Sequence, residues 1–264
     1  SRTGGGVDNV DLKAATEKGV IVTSSLGVNA STVAEHTLSM ILALLKHLFL
    51  MDREIRKGNF KIRFKNYPRD VLGKRLGIVG FGRIGQILAG YFHPLSQTRL
   101  LAYDPLLPEA VKAGFSDMVD FVSLDELLRT SDVVSVHVPL NEHTRNMIAW
   151  DQLRLMKPQA YIVNVSRGGV VNERDLVRAL REGVISGAAL DVFENEPVEA
   201  GNPLLEMDNV ILTPHTAALT EECVVRMATE AVRRVIDLFN GYEPDKIANP
   251  EVLQLEKWRH LKKR

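Results

Sequence analysis

The chain has 264 residues, with 33 basic and 33 acidic side chains, 45% hydrophobic residues and one cysteine. That length suits one large or two modest domains with a sizeable core, and the balanced charge gives no electrostatic basis for binding nucleic acid or an anionic membrane. A lone Cys223 excludes an internal disulfide, and with no signal peptide the expectation is a cytoplasmic protein.

The opening SRTGGGVDNVD has neither a helix cap nor a lead-in to a strand. It reads as the interior of a domain, and the sequence is expected to be a fragment. A helical stretch (DLKAATEKG), a short strand (VIVTS) and a helix start follow. In STVAEHT, Thr32 and Glu35 have the spacing of a capping box. LSMILALLKHLFLM, residues 38–51, is strongly apolar but carries Lys46 and His47. It falls short of the roughly 20 apolar residues of a membrane span, so a helix buried against a domain or a second subunit is expected.

From Arg75 onward, short apolar runs alternate with helical patterns. RLGIVGFG (75–82) predicts a strand entering a glycine turn, and RIGQILAGYF (83–92) a helix with Ile84, Ile87, Leu88 and Tyr91 on one face. RLLAYD (99–104) is a second strand, and SLDELLRT (123–130) a helix capped by Ser123. DVVSVHVP, AYIVNVS, ISGAALDV and NVILTP are further strands; NERDLVRALREG is a helix with Asn172 as cap and Gly183 just past its end. A helix from Glu221 to about Asn240 comes next, then a stretch with Pro244 and Pro250 and a basic tail read as a solvated helix end. Strands separated by helices imply a doubly wound parallel sheet covered on both faces, an α/β fold. Residues 37–216 are assigned to the domain built on this sheet, and residues 1–36 with 217–264 to the remnant of a second, different domain.

Gly80, Gly82 and Gly85 form G-x-G-x-x-G between a strand and a helix. In that setting the first glycine permits a tight turn, the second lets backbone approach a pyrophosphate, and the third lets helix and strand pack closely. The helix N-terminus then offers free N–H groups to the phosphates. Asp104, at the end of the second strand, can accept hydrogen bonds from the adenosine ribose and would repel a 2′-phosphate, which favours NAD over NADP. Its alternative is a turn residue before Pro105.

Three later strand ends carry polar residues: Arg167 in NVSRGG, Asp191 and Glu196 in DVFENEP, and His215 in TPHTA. Ligands of open α/β sheets bind beyond the carboxyl ends of the strands, so these four can converge beside the cofactor. A guanidinium matches a carboxylate with two parallel donors. Histidine exchanges protons near neutral pH, and a carboxylate behind it orients the ring and favours the imidazolium. Taken singly, Arg167 could be a loop ion pair, Glu196 a solvated acid and His215 a core residue. His137 and His36 are assigned no catalytic role, and no cluster has metal-ligand spacing.

The stretches GVDNVDLKAAT, VAEHTL, GKRLGIVGFGRIG, AYDP, HVPLNEHTRNMI, MKPQAYIVNVSRGGVVNERDL, GAALDVFENEP and ILTPHTA resemble the D-isomer-specific 2-hydroxyacid dehydrogenases over nearly the whole chain. The resemblance implies a Rossmann NAD-binding domain beside an incomplete, flavodoxin-like substrate domain, interconverting a D-2-hydroxy acid and its 2-keto acid. It implies that Arg167 binds substrate, Glu196 supports the imidazolium and His215 is the acid/base. Asp191 would contact the nicotinamide end, while Arg83, Ile84, Val138, Pro139, Thr144 and Val165 would line the cofactor. Gly5 and Gly6 match the loop that holds the substrate carboxylate, and Arg2 an arginine that reaches a phosphate in some members. The family forms dimers, and the apolar segment 38–51 suits that contact. Two departures stand out: the family's first βα units are absent ahead of Arg2, and Gly5 replaces a larger residue. The other class considered is an NAD-sensing corepressor of the same fold, which keeps the same catalytic residues.

Overall fold

The structure is a computed structural model that describes residues 1–263. It divides into two compact units, one of residues 33–217 and one of residues 1–32 with 218–264.

In the smaller unit, Asp11 caps α1 (Leu12–Glu17), accepting from the Ala14 N–H at 2.9 Å. The expected VIVTS strand is reduced to a single antiparallel bridge between Thr23 and Ile247. Five residues with no regular neighbour strand cannot build a full ladder, and an asparagine supplements the bridge: the Asn249 side chain accepts from the Val22 N–H at 2.9 Å.

The next helix, α2 (Ala30–Leu45), begins two residues before Thr32. The Thr32–Glu35 capping box therefore does not form, and the Thr32 hydroxyl instead accepts from Arg226 at 2.9 Å. The apolar segment 38–51 is not one helix. It breaks at Lys46–His47, and α3 (Leu48–Arg56) leaves at 58° to α2. The break lets two polar residues reach partners: Lys46 pairs with Asp70 at 2.9 Å and His47 Nε2 lies 3.1 Å from the Tyr161 hydroxyl. No single helix among the described residues is long and apolar enough to cross a membrane.

The larger unit then alternates up to its last two strands, which a 3-10 turn (Pro203–Glu206) joins: β1 (Leu76–Val79), α4 (Arg83–Ser96), β2 (Leu100–Tyr103), α5 (Glu109–Ala113), β3 (Val119–Phe121), α6 (Leu124–Thr130), β4 (Val133–Val136), α7 (Trp150–Leu155), β5 (Tyr161–Asn164), α8 (Glu173–Arg181), β6 (Gly187–Leu190) and β7 (Val210–Leu212). All pairings are parallel, in the order β3-β2-β1-β4-β5-β6-β7. The order reverses between β1 and β4, and crossovers from that point run outward in both directions. The expected doubly wound sheet is present, with β3, α5 and α7 as additions too short to show a pattern in the sequence.

Strands β1, β4, β5 and β6 are buried at every position, which is why they read as continuous apolar runs rather than alternating ones. One face packs Val79, Leu101, Val134, Val136, Ile162 and Leu190 against Leu127 and Leu128 of α6, Leu153 of α7 and Leu176 and Leu180 of α8. Full burial of each such side chain stabilises the fold by about 1.5–3 kcal/mol relative to exposure. Helix α4 buries Gly85, Leu88, Ala89 and Phe92, one position on from the face expected around Ile84 and Tyr91. The shift brings Gly85, the smallest residue, against the strand. The caps at Ser123 and Asn172 form as expected, each accepting from an N–H three residues on.

The final helix, α9 (Glu221–Phe239), returns to the smaller unit. Its buried Arg234 is matched by Asp245 at 2.6 Å and Glu230 at 3.4 Å. Among the described residues, the basic tail forms a short 3-10 turn, Glu256–Trp258, and a single parallel bridge from Lys262 to Tyr242, rather than a helix end.

Candidate active site

The sheet's reversal point lies between the carboxyl ends of β1 and β4, where open α/β sheets form a crevice. Gly80 follows β1 with φ +90°, and a Cβ there would stand 2.8 Å from Val138 Cγ1 and 2.9 Å from the His137 carbonyl oxygen. Only glycine satisfies both the dihedral and the close approach. Gly82 caps α4, and nothing lies within 4 Å of where its Cβ would be. The first N–H groups of α4, including those of Arg83 and Ile84, have no intrahelical acceptors. At Gly85 an added Cβ would meet the Gly80 carbonyl oxygen at 2.6 Å, so helix and turn are in contact.

Asp104 does two things. One oxygen accepts from the Phe81 N–H at 2.9 Å, tying β2 to the glycine turn, and the other accepts from the Leu106 N–H at 3.1 Å. The second is the turn geometry that was the alternative reading, and it coexists with the first. Across the crevice, the Thr144 hydroxyl donates to the Pro139 carbonyl at 2.5 Å and accepts from the Asn141 N–H at 2.9 Å. Thr144 thereby fixes the loop that begins at Val138. His137 stands one residue past β4, with Nε2 2.8 Å from the Ser135 hydroxyl. Burial pushes its pKa down to about 3, so it is neutral at working pH. Removing Asp104 (Asp104→Ala) is expected to weaken NADH binding and to narrow the preference for NADH over NADPH, measured as the ratio of the two dissociation constants. An unchanged ratio would leave Asp104 with its turn role alone.

The ends of β5, β6 and β7 carry the second group. Asn164, buried in β5, donates from Nδ2 to the Arg167 carbonyl at 2.9 Å and accepts from the Ser166 N–H at 3.0 Å. It folds back the loop that bears Arg167, whose Nη1 donates to the Ser166 carbonyl at 2.7 Å. Val165 is buried in the same loop. Next to Arg167, an added Cβ on Gly168 would lie 1.7 Å from the Phe193 carbonyl oxygen. The loops after β5 and β6 are therefore in backbone contact.

Asp191 is fully buried and does not face the crevice with a free oxygen. Oδ1 accepts from the Thr213 hydroxyl at 2.6 Å and the Thr216 N–H at 2.8 Å, and Oδ2 accepts from the Ala217 N–H at 2.9 Å. Its carbonyl accepts from the His215 N–H at 2.8 Å. One carboxylate thus pins both flanks of His215, which is held at φ +53°, a conformation that non-glycine residues seldom adopt. His215 Nδ1 lies 2.7 Å from Glu196 Oε2, and Glu196 Oε1 accepts from the Phe193 N–H at 3.1 Å. Both side chains are about half exposed, at 48% and 37%.

Arg167, Asp191, Glu196 and His215 are thus gathered at three adjacent strand ends. Arg2, Gly5 and Gly6 belong to the smaller unit, where Arg2 Nη1 donates to the Gly6 carbonyl and to Asn9 Oδ1. Sequence reasoning missed Asn164 and Gly168. Signals existed: an asparagine inside an apolar strand, and a doubled glycine beside an arginine. It also passed over Thr213 and His36, which touch Asp191's network; their partners lie far away in sequence.

Residues 38–217 match the family model described as D-isomer specific 2-hydroxyacid dehydrogenase, NAD binding domain. The chain is 40% identical over 253 residues to a glyoxylate reductase of Korarchaeum cryptofilum, covering 95% of this chain and 75% of that protein. It is 38% identical to a D-3-phosphoglycerate dehydrogenase of Methanocaldococcus jannaschii, covering 99% of this chain and 49% of the relative. Among solved structures, the D-lactate dehydrogenase of Aquifex aeolicus in complex with NAD and lactic acid superposes with a TM-score of 0.82 and 34% identity, over 96% of this chain and 77% of that one. The open approach at Gly82 and the N-terminus of α4 beside it fit a dinucleotide's pyrophosphate, and the cofactor is NAD.

Proposed function

This chain belongs to the D-isomer-specific 2-hydroxyacid dehydrogenase family, as an NAD-dependent enzyme acting on CH–OH donors, and we propose that His215, Glu196 and Arg167 carry its chemistry. The observation that carries the assignment is the 2.7 Å contact between His215 Nδ1 and Glu196 Oε2 at the carboxyl end of the sheet.

A carboxylate only accepts, so Nδ1 carries the proton and donates it to Glu196. In the neutral ring this leaves a lone pair on Nε2, the form needed to take a proton from an alcohol. In the imidazolium, Nε2–H gives that proton to a carbonyl oxygen, and Glu196 stabilises the charge. Arg167 grips the substrate carboxylate with two parallel N–H donors and fixes the C2 oxygen toward His215. When bound, NAD supplies the hydride acceptor, or as NADH the donor. Glycines 80, 82 and 85 with Arg83, Ile84, Asp104, Val138, Pro139, Thr144 and Val165 would hold it. Asp191 acts by setting the His215 turn. On the family resemblance, Arg2, Gly5 and Gly6 of the smaller unit are also proposed to bind substrate.

Substrates are small 2-keto or 2-hydroxy acids. The single cysteine is free and buried, which supports a cytoplasmic setting. A homodimer is supported by apolar side chains exposed on and after α3, including Phe49, Ile55, Phe60 and Phe64.

The test is NADH oxidation against glyoxylate, hydroxypyruvate, 2-oxoglutarate and phosphohydroxypyruvate. Turnover of at least one supports the reading. NADH binding with no turnover of any would overturn it in favour of an NAD-sensing binding protein. Replacing the clamp (Arg167→Lys) is expected to raise KM for the keto acid about 10-fold or more, because an ammonium cannot supply two parallel donors, while NADH affinity holds. An unchanged KM would remove Arg167 from the substrate.

A further inference from the structure

Helix α2 places His36 at the back of the His215 turn. Its Nε2 lies 3.2 Å from the Thr213 hydroxyl and 3.8 Å from Asp191 Oδ1. The Thr213 hydroxyl has a single proton, and it is donated to Asp191 at 2.6 Å. The hydroxyl can therefore only accept from the imidazole, which fixes His36 as the tautomer protonated at Nε2. Two donations run from His36 Nε2–H to Thr213 and from Thr213 O–H to Asp191, whose carboxylate also accepts from the backbone N–H groups of Thr216 and Ala217. Asp191 in turn accepts the His215 N–H through its carbonyl. Every link acts on the segment 213–217 that holds His215 at positive φ.

We propose that His36 is a positioning residue for His215, locking Thr213 and Asp191 so that the strained turn presents the imidazole to Glu196. The inference rests on the acid–base role assigned to His215 above. The second reason to assign it is cost. A histidine ring half-buried among Met40, Ala43, Leu48, Phe49 and Ile211 would pack as well or better as leucine. The polar ring is explained by what its nitrogen holds, not by its fit to that cavity. Asp52 of α3 lines the same cavity, but the His36 Nε2 contacts run to Thr213 and Asp191.

The test compares His36→Leu, His36→Gln and Thr213→Val in the full chain. Leucine suits the apolar wall, so the fold should survive; glutamine keeps a donor near the Nε2 position. His36→Leu is expected to lower kcat about 10-fold with little change in the KM for NADH, and His36→Gln to recover most of it. Thr213→Val should match His36→Leu, and the double variant should be no worse than either single one, as expected for members of one chain. Independently of turnover, the ¹⁵N signals of the His215 ring should shift in His36→Leu toward a mixture of tautomers, reporting a loosened bond to Glu196. Equal kcat in His36→Leu and the parent, or unshifted His215 signals, would overturn the proposal while leaving the role of His215 intact. Loss of turnover in the parent chain itself would count against the catalytic reading instead, and the ¹⁵N comparison would still decide the role of His36.

Discussion

Replacing His215 with alanine is expected to lower kcat by about 10³-fold and to leave the NADH dissociation constant within about 2-fold of the parent. The magnitude follows from what is removed. Among the described residues, only His215 stands at a strand end with one ring nitrogen fixed on a carboxylate and the other left for a substrate oxygen. Without it the proton must go to or come from water, at the cost usual for losing a positioned acid or base. The cofactor contacts lie elsewhere, at the glycine turn and the loop after β4, so binding should persist. The backbone should also persist, because Asp191 holds the turn through the His215 N–H, which alanine keeps. Stopped-flow NADH oxidation and fluorescence titration of NADH read the two quantities separately. Equal loss of both would sink the acid–base assignment.

The second large effect is expected at a residue with no chemistry. Gly168→Ala puts a Cβ 1.7 Å from the Phe193 carbonyl oxygen and 2.1 Å from its carbon. Both are backbone atoms, so no side chain can swing away. The loop with Arg167 and the loop with Glu196 must part. Overpacking of this kind costs about 3 kcal/mol, which lowers Tm by roughly 10 °C for a domain of this size. Activity should fall further than stability explains, because the separated loops carry the substrate clamp and the partner of His215. The check is kcat/KM measured well below the new Tm, beside a thermal melt. A folded variant with parent activity would show that contact between the two loops is irrelevant to catalysis.

Much of this was legible in the sequence where information is local. The strands of the sheet are short apolar runs bounded by glycine or polar turns, and burial on both faces makes them so. The glycine turn carries its meaning in its spacing. His215 and Glu196 were found as a pair because each follows a strand, and strand ends in such a sheet share one edge. What could not be read depends on partners distant in the chain. The break in the apolar segment at Lys46–His47 is set by Asp70 and Tyr161. Asp191 reads as a residue facing the cofactor, yet it is buried and spent on the neighbouring turn. The doubled glycine beside Arg167 marks Gly168 in the sequence, but not the Phe193 carbonyl that crowds it in space. The α4 face was displaced by one position because helix packing favoured Gly85 against the strand over the larger Ile84.

The most direct measurement follows the atoms. The protein is mixed with a turned-over 2-keto acid and NADH deuterated at C4 of the nicotinamide, and the product is examined by mass and on a chiral column. The account predicts a 2-hydroxy acid of D configuration, with deuterium on C2. A product of L configuration, or one without deuterium at C2, would contradict it.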